Sequence, residues 1–208
     1  MLRSRVAGLR GRAAAGGARR QRGLGQNAAI PALTLTATTT APGETVTIHR
    51  MTPAAGKTLT IHWGDGNSTV VAAGDETAKS NVYAAAGTYA ITVTVATDIV
   101  QINLHDSKLS GLQSAELAAS AITYFICYSL GTAVACAIDS ADMAAWTPRN
   151  WWLSSMPAGT YAIDSADMAA WTPSYWWLYS MPAGTYAIDS ADMAAWTPRN
   201  WWLSSMPA

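Results

Sequence analysis

The side chains able to do chemistry recur in this chain at fixed intervals. Asp139, Asp164 and Asp189 stand 25 residues apart, and so do Asp142, Asp167 and Asp192. Paired carboxylates can act as general acid and base in glycoside cleavage, and clustered ones can bind calcium. Calcium takes about six to eight oxygens, and the glycine-rich nonapeptide pattern of calcium-binding rolls is absent. In stacked strands about 4.8 Å apart, like charges in water repel by only about 0.9 kcal/mol, so exposed carboxylates need no metal. The contexts Ile-Asp-Ser and Ala-Asp-Met predict turn and cap hydrogen bonds instead. A catalytic pair is ordinarily unique, and identical recurrence points to lattice structure.

The other candidates are few. His49, His62 and His105 are the only histidines. No glycine-rich phosphate loop, Gly-x-Ser-x-Gly elbow or metal triad accompanies them. The expectation is therefore no catalytic residue, no metal and no cofactor. Cys127 and Cys136 are the only cysteines, too few for a disulfide scaffold. Alternation turns Cys127 inward as a buried apolar thiol, and leaves a bond to Cys136 open. The same alternation turns Trp152, Trp177 and Trp202 outward. Such a stripe can stack sugar rings or meet a protein surface, or be covered by a neighbouring loop.

The elements that must position these residues fall into two blocks behind a basic head. Seven of the thirteen Lys and Arg lie between Arg3 and Arg22, with no acid among them, and the remaining six face all thirteen Asp and Glu. The body is mildly acidic, which argues against nucleic acid as a partner. No run approaches about 18 apolar residues, so no transmembrane helix is expected. Residues 1–30 lack a periodic apolar face and read as a disordered tail or leader; the stretch lacks a clear secretory signal.

From 31 to 97 the period is two. Leu33-Thr34-Leu35-Thr36, Val46-Thr47-Ile48, Leu59-Thr60-Ile61 and Tyr89 to Val95 alternate apolar residues with polar or small ones. Turn signals at Pro42-Gly43, Gly56 and Gly64-Asp65-Gly66 separate these runs, which predicts an antiparallel β-sandwich. Trp63-Gly64-Asp65-Gly66, followed by Val82-Tyr83 and Gly87-Thr88-Tyr89 leading into the last strand, resembles the PKD (polycystic kidney disease) domain. That family is an immunoglobulin-like sandwich with a W-x-F-G-D-G stretch; here the x-F step is missing. The resemblance implies a spacer or contact module of extracellular proteins. Gly64, Asp65 and Gly66 then form a structural turn, with Asp65 accepting bonds from turn amides.

From 98 to 208 the chain repeats. Ala137–Ala158 and Ala187–Ala208 are identical, and Ala162–Ala183 differs only at Ser174-Tyr175 and Tyr179. A unit of 25 residues cannot bury its own apolar face, so stacked units must share a core. Ile102 to Gly111 resembles the leucine-rich repeat, with Ser107 at its Asn position. In that frame Phe125 and Cys127, Trp151 and Leu153, Trp176 and Leu178, and Trp201 and Leu203 point inward. Met156, Met181 and Met206 replace the Asn, so other bonds must hold the inner turn. The last repeat is expected to be incomplete and without a polar cap.

The fold expected is mainly β: a PKD-type sandwich followed by a leucine-rich-repeat-like solenoid. The function expected is non-catalytic adhesion or assembly at the cell surface or outside it, through protein contacts of the solenoid, including end-to-end self-association into a filament. The alternative is a carbohydrate-binding module that holds polysaccharide on the Trp stripe.

Overall fold

The computed structural model of the protein describes residues 32–206. The basic head expected as a tail lies outside them. The fold is mainly β, built of several sheets, none of them closed.

The first half forms strands where Thr alternates with apolar residues. These are β1 (Ala32–Thr39), β2 (Glu44–Ile48), β4 (Thr58–His62) and β7 (Gly87–Thr94). Alternation puts Leu33, Leu35, Ile61, Ile91 and Val93 into a core that also holds Trp63 and Tyr83. Three strands escape the pattern: β3 (Arg50–Pro53), β5 (Ser68–Ala72) and β6 (Lys79–Tyr83). In β3, Met51, Thr52 and Pro53 are all buried, and the Thr52 hydroxyl donates to the Asp75 carbonyl at 2.9 Å. In β5, Val70 points to solvent, 65% exposed. One sheet runs β5-β4-β7-β1 and ends on the short β9 (Leu109–Ser110); β2 and β6 form a separate pair.

The second half coils. Strands β8 (Ile99–Leu104), β10 (Tyr124–Tyr128), β12 (Asn150–Ser154), β14 (Tyr175–Tyr179) and β16 (Asn200–Ser204) lie side by side in one sheet, all parallel. The register follows the repeat: Trp151 pairs Trp176, which pairs Trp201. A second parallel sheet holds β11 (Cys136–Asp139), β13 (Gly159–Asp164) and β15 (Thr185–Ala187). One-turn 3-10 helices at Ser114–Leu117, Ser140–Met143 and Ser165–Met168 carry the chain back to the first sheet. Phe125, Cys127, Trp151, Leu153, Trp176 and Leu178 are fully buried between the sheets.

The inner turn is held without an Asn ladder. Ser129, Ser155, Ser180 and Ser205 each take a left-handed backbone, with φ of 52, 47, 50 and 53°. The N–H of Ser155 donates to the Ser180 carbonyl at 3.1 Å, and that of Ser180 to the Ser204 carbonyl at 3.2 Å. Each turn is thus tied to the next by backbone, and Met156 and Met181 fill the space inside it.

The two halves are joined by strand pairing. β3 runs antiparallel on β8, and β1 pairs antiparallel with β9. One contiguous apolar core extends from Leu33 to Trp196. The first strand of the coil therefore has its outer edge covered by β3, whereas β16 stands at the other edge of that sheet with no strand beyond it among the described residues.

Candidate functional site: the coil and its last turn

The repeat places Asp and Ser side chains in register. Asp139 and Asp164 each cap a 3-10 helix: Asp139 Oδ1 accepts the Ala141 N–H, and Asp164 Oδ1 the Ala166 N–H, both at 2.9 Å. The other ladder is anchored more deeply. Ser114, Ser140 and Ser165 are buried, and each donates to the Oδ2 of the Asp one turn on: Asp142 and Asp167 at 2.6 Å, Asp192 at 2.7 Å. A cap on a 3-10 helix, or at Asp189 on a turn, and an interturn bond account for the two carboxylates of each repeat. Among the described residues no three His, Cys, Asp or Glu side chains gather as a metal would need.

The turn of the first half is equally occupied. Asp65 accepts the Asn67 N–H at 3.0 Å, the Asn67 side-chain amide at 2.9 Å and the Asn81 amide at 2.7 Å. Desolvation pushes its carboxyl up, but the bonds from Asn81 and Asn67 outweigh it and hold it below the usual range. Gly64 and Gly66 have φ of 82 and 97°, which a side chain resists. Cys127 and Cys136 are free and buried, and burial raises both thiols above their ordinary range.

The outer face of the β8-to-β16 sheet carries an aromatic ladder longer than the expected Trp stripe. His49 stacks on His105 with centroids 3.2 Å apart, His105 on Tyr128 at 4.8 Å, and Tyr128 on Trp152 at 4.8 Å. Trp152 then meets Trp177 edge-on at 4.6 Å. Trp152 and Trp177 are half-buried by these contacts, and Trp202, on the last strand, is 59% exposed. The two histidines and Tyr128 escaped sequence reasoning because they lie outside the identical repeats. Alternation from Phe125 and Cys127 would have placed Tyr128 on the outer face. At the edge of the same face the Arg50 guanidinium lies 4.6 Å over the Tyr124 ring and donates to Gln101 Oε1 at 3.2 Å.

The last turn differs from its twin. Trp151 and Leu153 are 0% exposed, whereas Trp201 and Leu203 in the identical unit are 49% and 39% exposed. The expectation that Trp201 and Leu203 are core residues is thus corrected. Their strand has the inward geometry, but among the described residues no turn lies over them. Beside them Ser190, Met193, Trp196, Pro198 and Trp201 line a cavity of 270 Å³.

No protein-family model, curated protein or solved structure matches this chain. Among the described residues no helix is long and apolar enough to cross a membrane.

Proposed function

We propose that this is a non-catalytic adhesion or assembly protein of the cell surface or extracellular space. In this reading a PKD-like sandwich carries a leucine-rich-repeat-like coil, and contact is made through the coil. One observation carries it. Trp151 and Leu153 are buried, whereas Trp201 and Leu203 of the identical stretch are exposed. The bare surface is therefore one whose complement is already known: in the interior, another turn of the same repeat covers it. An apolar face of this kind is a contact surface.

The β16 edge of one copy can meet the β16 edge of another, where the exposed Trp201 and Leu203 lie. Such a contact is isologous and closes as a pair about a two-fold axis, which favours a dimer over the open filament. Sedimentation velocity of the full chain over a range of concentrations tests this. The expected result is a monomer–dimer equilibrium that Trp201→Lys shifts to monomer. A monomer boundary at every concentration would overturn the reading.

A carbohydrate surface spread along the whole Trp stripe is less favoured. Between Tyr128 and Trp177 the rings turn faces and edges to one another, and a sugar needs a free face.

A further inference from the structure

The aromatic ladder opens at one place. Among the described residues its close ring packing does not continue from Trp177 to Trp202. Instead a groove of 590 Å³ lies there, lined by Trp177, Tyr179, Asn200, Trp201, Trp202 and Ser204. The Trp202 indole is already oriented: its Nε1–H donates to Ser204 Oγ at 2.8 Å. The same bond joins Trp152 to Ser154 at 2.7 Å in the interior turn. The ring orientation thus belongs to the repeat and needs no ligand to set it, which lowers the entropic cost of binding.

We propose that this groove binds a neutral sugar ring of a polysaccharide, laid on the exposed indole of Trp202. The lining chemistry selects that class. Its polar groups are the Tyr179 hydroxyl, the Asn200 amide and the Ser204 hydroxyl, each able to donate and to accept. None of the lining residues is charged, so an ionic ligand finds no counter-charge. An alkyl chain would leave the amide and hydroxyls without partners. A pyranose offers both an apolar C–H face for the indole and a rim of hydroxyls for Asn200 and Tyr179. Trp201 borders both the groove and the self-association surface, so the two readings are separated at Trp202 and Asn200, which line the groove only.

Tryptophan fluorescence of the full chain, titrated with neutral glucan, mannan, xylan and chitin oligosaccharides, tests the site. At least one of them is expected to bind and perturb the emission. Trp202→Ala and Asn200→Ala should each weaken that binding about tenfold or more, while Trp152→Phe leaves it unchanged. Trp202 and Asn200 are exposed, so these variants fold, and circular dichroism verifies it. Asn200→Ala should also leave the sedimentation profile unaltered, which separates this site from self-association. Failure of all four sugars to bind, or binding indifferent to Trp202→Ala, overturns the proposal. So does preference for a sulfated glycan or an aromatic peptide.

Discussion

The hydroxyl of Ser140 donates to Asp167 Oδ2 at 2.6 Å, one full turn further along the chain. Ser140 Oγ in turn accepts the Asp164 N–H at 2.8 Å. Ser114 with Asp142 and Asp139, and Ser165 with Asp192 and Asp189, repeat the arrangement. One small buried hydroxyl therefore joins a backbone amide and a carboxylate across each turn-to-turn step.

Ser140→Ala should destabilise the protein by about 1–3 kcal/mol, because it strands a backbone N–H and a carboxylate together. Ser190 occupies the same repeat position at the bare end and is exposed. Ser190→Ala should change stability very little. Urea unfolding of the two variants side by side checks the contrast; equal effects would sink it.

The twin tryptophans provide a second internal comparison. Trp151→Ala removes a fully buried indole and should cost about 3–5 kcal/mol. Trp201→Ala, in an identical sequence context but half exposed, should cost about 1 kcal/mol. Denaturation midpoints at unchanged slope are the measurement.

Gly64→Ala should be more damaging than Gly66→Ala. Both positions have left-handed φ, a strain of about 1–3 kcal/mol for a side chain. At Gly64 an added Cβ would also meet the Ala90 carbonyl oxygen at 2.5 Å, whereas at Gly66 it meets nothing within 4 Å. Thermal unfolding should rank the wild type first, Gly66→Ala second and Gly64→Ala last.

Stability should fall on mild acidification. Burial lowers His49 and His105 below their ordinary 6.5, and at His105 the neighbouring His49 adds to the effect; Asp106 opposes it at both. The stacked pair also faces Tyr128, and His105 Nδ1 lies 3.0 Å from Asn103 Oδ1. A histidine held low in the fold is protonated first in the unfolded chain. Its stabilising contribution is complete well above the unfolded value and is lost as pH falls below it toward the depressed folded values. Tm should therefore drop between about pH 7.5 and about pH 5.5. The double variant His49→Gln/His105→Gln should flatten that drop, and an equally steep profile in it would count against the pair.

Much of this was legible in the chain. Thr alternating with Leu, Ile and Val has only one way to bury an apolar face, so β1, β2, β4 and β7 follow from period two. The 25-residue repeat dictates register, because identical units stack best with identical residues opposed. Trp151 against Trp176 follows from that alone. β3, β5 and β6 were illegible, since their burial depends on which neighbour covers them. Thr52 is buried because Asp75 supplies an acceptor, which no local pattern announces.

The sequence by itself determined that the repeats of the second half lie in register, Trp151 opposite Trp176 and Trp176 opposite Trp201. The physical reason is that a short apolar unit can bury its face only against a copy of itself. Only the tertiary structure decided which copies are covered. Trp151 and Trp201 sit in identical stretches, and burial is a property of what lies across from a side chain, never of the side chain itself. The same holds for the ladder from His49 to Trp177: its rings are brought together by strand pairing between segments far apart in the chain, and strand pairing, not residue type, determines whether an aromatic face is free.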